Sequence, residues 1–423
     1  MFGLNAYEGR LVHNAAGSIQ MRRFDPTPLQ HFIANKDRDK PILFAGRATE
    51  IAAVNDAIKA VKRGSVAGQT LLFTGAPGAG KTALLRHLQL HLTDCRSASF
   101  PAHALSDPRQ VVIDIISQID PKTGETLNRS TTTAFHGEAG ASPLKVGGAY
   151  SKTESRPTLS SLRAFAQSIR PDILKSPIVL FMDEAQNAEA DLANTQRSSL
   201  LQDLHEGQSG PFLLIAGGLS QSLGRFSELG ISRFATNSVL ALGCLTPHDV
   251  REVVERFFVT SDFGIQVGSS HLQESWLAAI MDESKGWPQH LTNTLISAAE
   301  EIIRANGILE HANLESALAE SRRRREDYYA QRQGDIPIEL IAEVFSIMPN
   351  SGGATFNQID DAIDTAYRRF PKTAKKLSQD AAYITLLNRG LLQECRARHF
   401  DAPIPSMRDF IDREARKEGW RPA

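Results

Sequence analysis

The sequence predicts an α/β fold: a parallel sheet covered by helices, then an all-helical unit, then a small domain of three helices and a ribbon. Three observations predict it. Apolar runs at 71–73, 97–105, 177–188, 212–218 and 238–243 alternate with helical patterns, as strands of a parallel sheet buried on both faces do. The first run ends in a glycine-rich turn and a helical pattern follows at once. Beyond Thr246 the apolar spacing stays helical to about residue 332.

At 423 residues the chain exceeds one compact core, so two or three domains are expected. Its 47 Lys and Arg against 48 Asp and Glu leave a net charge of −1, so any contact with nucleic acid must come from a local patch. Cys95, Cys244 and Cys395 lie far apart without metal-ligand spacing, and buried thiols in a reducing, cytoplasmic compartment are the expectation. The start MFGLNAYEGR lacks the basic segment and apolar core of a signal peptide, and no apolar stretch approaches the roughly 20 residues that cross a bilayer. No membrane partner is expected.

Taken in order, residues 1–40 show no clear period and read as an arm. In 44–61, Ile51, Val54, Ile58 and Val61 fall at helical spacing. Strand 71–73 leads through the glycine turn to a helix from Lys81 with Leu84, Leu85 and Leu88 on one face. SASFPAHAL (97–105) reads as a second strand and DPRQVVIDIISQI (107–119) as a helix. Residues 121–160 are polar and glycine-rich, a long insertion of the kind that is often functional, with a short hairpin expected at LKVGGAY. A helix at 161–169, the strand of PIVLFMDEAQNA (177–188), a helix carrying Leu200, Leu201 and Leu204, and strands FLLIAGG (212–218) and SVLALG (238–243) complete a core over 41–245. A helical lid and linker helix over 246–334, interrupted at GWP (286–288), and a domain over 335–423 follow.

Gly75-Ala76-Pro77-Gly78-Ala79-Gly80-Lys81-Thr82 satisfies G-x-x-x-x-G-K-[ST] in full, between a strand and a helix. The glycines let backbone N–H groups turn toward an anion, and the helix N-terminus adds its dipole. Lys81 is expected at the β/γ-phosphates and the Thr82 hydroxyl on Mg²⁺. Asp183, at the end of an apolar strand, is placed to hold the same metal, and Glu184 to orient or deprotonate a water. Adjacent acids favour hydrolysis of ATP over transfer of its phosphate.

GAPGAGKT, then LFMDEAQ, then LLIAGG, then the arginine of GISRF, then a helical segment with GWPQH resembles the AAA+ and STAND-like P-loop ATPases, over roughly residues 41–320. It is most similar to the origin-recognition and cell-division-control initiator branch and to bacterial transposition-regulator ATPases. The resemblance implies a P-loop NTPase core with an all-helical lid and a C-terminal winged-helix domain, ATP and Mg²⁺ as ligands, and self-association into a ring or filament. It implies further that Phe44, Gly46 and Arg47 line the adenine pocket. Arg233, with Arg225 as second candidate, becomes the arginine finger of a neighbour's site, the alternative being a surface arginine capping a helix. Two departures stand out. Gly217-Gly218 occupies a place where relatives put a polar residue for the water, and Gln289 stands where initiators often carry arginine. Gln289 can hydrogen-bond a phosphate but cannot neutralise it, so hydrolysis is expected to be slow. Trp287 and Pro288 are expected to fix the turn by packing.

In the last segment Ile338, Leu340, Ile341, Val344 and Phe345 make one amphipathic helix, and TFNQIDDAIDTAYRRF a second that starts at Thr355 or Asn357. KTAKKLSQDAAYITLLNR makes a third, burying Leu377, Ile384 and Leu387 and ending at Gly390, and LLQECRARHFDAPIP a ribbon. Three helices and a ribbon is the winged-helix layout, with Lys372, Lys375 and Lys376 on the groove-entering helix and Arg396 and Arg398 in the wing. Residues 335–423 hold 13 acids and 13 basic residues, however, so both DNA and a protein partner (an effector, transposase or replication factor) remain open. Arg322 to Arg325 either add phosphate contacts or form a solvated helix face.

Overall fold

A computed structural model of the chain describes residues 24–34, 43–64, 68–125, 175–189, 200–206, 211–231, 237–348, 353–371, 377–396 and 398–422, with Phe234. Strands β1 (Gly68–Thr74), β2 (Arg96–Pro101), β3 (Ile178–Asp183), β4 (Phe212–Gly218) and β5 (Val239–Ala241) form one parallel sheet in the order β2-β3-β4-β1-β5. Alternate residues of each strand feed different cores. Leu71, Phe73, Val179, Phe181, Leu213 and Ile215 face α2 (Ala48–Lys62) and α3 (Lys81–His91). Leu72, Leu180, Met182, Leu214 and Ala216 face α4 (Pro108–Ile119), α5 (Leu200–Glu206) and α6 (Ser222–Glu228). Both faces are covered, which is why the strands read as unbroken apolar runs.

The helical unit consists of α7 (Pro247–Val259), α8 (Ser270–Ser284), α9 (Pro288–Arg304) and the long α10 (Leu314–Gln333). Thr246 and Asp249 open α7 with a capping box, and Ser269 and Asn313 cap α8 and α10, each satisfying an N–H group that the first helical turn leaves free. The stretch read as an arm contains α1 (Thr27–Ile33), whose Leu29 is fully buried in this unit and whose Phe32 packs between Phe257 and Phe263 at ring separations of 5.9 and 5.7 Å.

Beyond α10 come α11 (Ile338–Ser346), α12 (Phe356–Arg369), α13 (Gln379–Asn388) and a hairpin of β7 (Gln393–Arg396) and β8 (His399–Asp401), with the short β6 (Ala354–Thr355) against β8. Thr355 is the cap of α12, again with a capping box to Gln358. One apolar cluster runs from the α2–α3 face of the sheet through Trp287 and Tyr329 into this C-terminal module. The sheet core and the C-terminal module are thus packed together, not strung on a linker.

Several expectations need correction. The second strand stops at Pro101, and 102–106 is a turn of 3-10 helix. Strand β5 is only three residues long. In α13 the inward positions are Ala382 and Leu386, whereas Ile384 is 57% exposed. Its helical phase is set by α12 and the ribbon, so Ile384 is turned to solvent. A further helix, α14 (Met407–Lys417), buries Met407, Phe410, Ile411 and Ala415; that spacing was present in the sequence and went unread. No described cysteine is buried, since Cys244 and Cys395 are exposed and Cys95 intermediate. The LKVGGAY hairpin, most of the 121–160 insertion and the 161–169 helix lie outside the described residues. Among the described residues no helix is long and apolar enough to cross a membrane.

Candidate functional site

The strand order puts the end of β4 between the loop after β1 and the end of β3. Residues 75–80 turn from β1 into α3, with Gly78 and Gly80 at φ 86° and 88°, a region that side chains rarely enter. Gly78 is needed for space as well: a Cβ there would lie 2.8 Å from Gln289 Cβ and 3.1 Å from the Tyr328 hydroxyl.

Lys81, only 7% exposed, donates from Nζ to the carbonyls of Gly75 (2.8 Å) and Ala76 (3.1 Å). Burial lowers its pKa to about 8, while Glu184 and Asp183 pull it back up. The Thr82 hydroxyl donates to Asp183 Oδ2 at 2.6 Å, across the gap that β4 bridges. Two hard oxygen donors therefore meet at one point, beside Lys81, and this pair fits Mg²⁺, which takes one or two protein oxygens alongside waters and phosphate oxygens. Glu184 follows at φ 54°, its N–H held by Asp183 Oδ1 (2.9 Å), so the strained turn swings its carboxylate toward the loop and into the lining of the same cleft.

The glycines of β4 now have a reason. A Cβ at Gly217 would come within 3.0 Å of Leu85 Cδ1 and 3.3 Å of Asp183 Oδ1, and one at Gly218 within 2.1 Å of Ser222 Oγ. There is no room for a polar side chain at 218. Gln186, which the sequence reading missed, is the amide beside Glu184: its Nε2 donates to Glu184 Oε2, and its Oε1 accepts the Leu219 N–H at 3.0 Å. Gln186 thereby ties the acid to the end of β4.

The loop opens on a cleft of about 550 Å³ between the core and the lid, lined by Phe44, Arg47, Lys81, Glu184, Gln289 and apolar residues of α7 and α9. Phe44 stacks on His87 of α3 (4.0 Å, 12°) at the rim. Arg47 holds the loop itself, donating to the carbonyls of Ala79 (2.9 Å) and Gly243 (2.7 Å). Gly46, at φ 76°, leaves no space for a Cβ, which would meet Asp249 Cγ at 2.7 Å. Gln289 meets Gly78 through its backbone N–H (3.2 Å), and its side chain donates to Asn293 (3.1 Å). Trp287 is fully buried, and Pro288 starts α9 at the cleft wall.

Two further contacts on the loop come from far downstream. The Tyr328 hydroxyl of α10 donates to the Pro77 carbonyl at 2.6 Å, and Gln393 Oε1 of β7 accepts the buried Ala76 N–H at 2.9 Å. No local pattern marks either residue; their partners lie 251 and 317 positions away.

Arg233 lies outside the described residues, as do Lys372, Lys375 and Lys376. Arg225 is engaged within the chain, with Ala188 O at 2.5 Å and Glu228 at 2.8 Å, so its guanidinium braces α6. Arg396 ends β7 and Arg398 sits exposed in the hairpin turn. The arginine run is paired throughout: Arg322 and Arg325 with the buried Glu283, Arg323 with Glu320 and Asp327, Arg324 with Glu300 and Glu320.

Residues 43–215 match the AAA ATPase domain family. Among solved structures, the Walker-type ATPase PABY2304 of Pyrococcus abyssi is similar at 12% identity, with 87% of this chain and 96% of that chain covered and a TM-score of 0.51. The ORC2 protein of Aeropyrum pernix follows at 15% identity, 90% and 98% coverage and a TM-score of 0.46. The RuvB Holliday junction branch migration motor of Thermotoga maritima gives 15% identity, 87% and 95% coverage and 0.40. No curated protein matches the chain. A complete phosphate-loop motif on a five-stranded parallel sheet gives the chain the P-loop NTPase fold, and its residues 43–215 are similar to AAA ATPase domains.

Proposed function

We propose that the chain is an ATP-binding, slowly hydrolysing switch that assembles on DNA through nucleotide-dependent oligomerisation. The observation that carries the nucleotide part is the meeting of Thr82 and Asp183 at 2.6 Å beside the buried Lys81, with Glu184 next in the chain. In this reading the N–H groups of 78–82 and Lys81 bind the β/γ-phosphates, and Thr82 and Asp183 hold Mg²⁺. The metal, when bound, neutralises phosphate charge. Glu184 takes a proton from the attacking water, its carboxylate oriented by Gln186. Slowness follows from two places where charge or a polar group is missing: Gln289 is uncharged, and Gly217 and Gly218 offer no side chain. Phe44 and Arg47 belong to the nucleoside end of the cleft, and Arg233 to a neighbour's site.

Glu184→Gln is expected to keep ATP and Mg²⁺ affinity, because Lys81, Thr82 and Asp183 are untouched, and to cut turnover by about 10²–10⁴-fold, the usual scale for losing a general base. The trapped ATP state should enrich the oligomer in light scattering. Turnover at the wild-type rate would assign water activation elsewhere.

The DNA part rests on the layout of α11, α12, α13 and the β7–β8 hairpin, read as a winged helix, with Lys372, Lys375, Lys376, Arg396 and Arg398 as phosphate contacts. A second reading, a STAND-like signalling or defence ATPase whose C-terminal domain holds a protein, is favoured by the arginine run: all four residues are consumed by internal ion pairs. Fluorescence anisotropy on duplex DNA with ATP, across a salt series, separates the two. Each lost phosphate contact should reduce the slope of log affinity against log salt by about 0.9. Wild-type protein without salt-dependent binding, or a Lys375→Glu, Lys376→Glu, Arg398→Glu variant that binds equally well, selects the protein-partner reading.

A further inference from the structure

The phosphate loop is engaged on its outer side by the linker helix and the C-terminal module. Besides the Tyr328 and Gln393 contacts, Gly390 at φ 70° abuts the loop so closely that a Cβ on it would lie 2.2 Å from Pro77 Cδ. Asn388 Oδ1, at the end of α13, accepts from Gln221 of the core at 2.8 Å. Hydrogen bonds made by Tyr328, Gln393 and Asn388 thus cross this seat.

Gln393, 7% exposed, uses only its carbonyl oxygen on Ala76, and a carboxamide carries two N–H donors besides. The Ala76 carbonyl, in the same residue, accepts from Lys81 Nζ. Gln393 is thus anchored within one residue of the ammonium that meets the terminal phosphates.

Arg332 lies one turn beyond Tyr328 on α10, its guanidinium 5.4 Å from the centre of that ring. Tyr328 in turn touches Pro77 and limits Gly78. The Nε of Arg332 is buried and meets no acceptor among the described residues. A buried donor on a permanently charged group is costly without an acceptor, and an anion at the loop removes that cost. The charge of Arg332 also bears on Lys81, so two cations sit close together beside a loop shaped for anions.

We propose that the C-terminal half completes the nucleotide site in cis, with Arg332 contacting the terminal phosphate of bound nucleotide and Gln393 holding the loop that carries it. The proposal rests on the reading of residues 75–82 as an ATP site. Its consequence is that the C-terminal module reads which nucleotide is bound. The Gln393 seat already holds the loop, and an ATP-filled site engages Arg332 beside it; loss of the terminal phosphate frees Arg332.

The test is calorimetric titration of the full chain with ATP and with ADP, each with Mg²⁺, for wild type, Lys81→Ala, Arg332→Met, Arg332→Lys and Gln393→Leu. Arg332→Met should weaken ATP on the order of 10- to 100-fold, the scale of a charge-assisted hydrogen bond, and ADP far less. Arg332→Lys keeps the charge without the planar fork and should recover part of the ATP preference. Gln393→Leu should narrow the ATP-to-ADP ratio. Wild-type affinities for both nucleotides in Arg332→Met and Gln393→Leu, with binding lost in Lys81→Ala, would overturn the proposal while the loop keeps its role. Equal weakening of ATP and ADP would also overturn it, by making Arg332 a structural residue. A wild type that binds neither nucleotide would remove the ATP site and the proposal together.

Discussion

The two sides of the phosphate loop are built by different means. On the inner side, Lys81 and Thr82 open α3 at the end of the loop after β1, Asp183 ends β3 with Glu184 next, and Thr82 lies within 2.6 Å of Asp183. On the outer side, Tyr328, Gly390 and Gln393 reach the same loop only because an apolar cluster joins the sheet to the C-terminal module. The inner side is chemistry that a short motif can encode. The outer side is a packing result, and it connects the loop to a distant module.

The largest effect that would break this comparison sits on the inner side. Lys81→Ala should cost ATP binding about 3–5 kcal/mol, the scale for removing one partner of a buried charge pair, while unliganded stability shifts by the balance between relief of the buried ammonium and loss of its bonds to the Gly75 and Ala76 carbonyls. Calorimetry with ATP and Mg²⁺, beside a thermal melt, reads both. Unchanged affinity would remove the loop from nucleotide binding.

On the outer side, Gly390→Ala combines backbone strain at φ 70° with collision against the rigid Pro77 ring. It should destabilise by about 1–3 kcal/mol. Gly64→Ala is the matched control, since Gly64 has φ 65° and nothing within 4 Å of the added Cβ. The excess of the first over the second in urea unfolding measures the seat; equal costs would mean that the seat contributes nothing. Tyr328→Phe deletes the hydroxyl that bonds the Pro77 carbonyl and also meets Trp287, and should cost about 1 kcal/mol in the same experiment.

The smallest effect is a proton. With its pKa lowered to about 8 by burial, Lys81 is half neutral at pH 8, and a phosphate beside it restores the charge. ATP binding should therefore take up about half a proton at pH 8 and almost none at pH 6.5, measured by calorimetry in buffers of different ionisation enthalpy. Without ligand the sign is that of a depressed lysine. The buried ammonium opposes folding fully below pH 8, and this opposition fades as pH rises from 8 toward the ordinary 10.5. Proton uptake that Lys81→Ala retains would belong to another group.

By itself the sequence determined the parallel sheet and the inner half of the site. Both depend on local signals: five apolar runs broken by helices, glycines where backbone must turn to φ 86° and 88°, and acids at the end of an apolar strand. It also marked Gly217 and Gly218 as a departure. Only the tertiary structure supplied the reason, since a side chain at Gly218 would collide with Ser222 and Ala185 and one at Gly217 would press on Leu85 and Asp183. The phase of α13 was misread because Ala382 and Ile384 are both apolar, and which one faces inward depends on what α12 and the ribbon present. The arginine run 322–325 read as a charge cluster, yet its pairing with Glu283 and Glu300 required α8 and α9 to be packed against α10. Gln393 is the limiting case. Nothing in QEC distinguishes it from a surface amide, because a hydrogen bond across 317 residues exists only once two cores have merged into one.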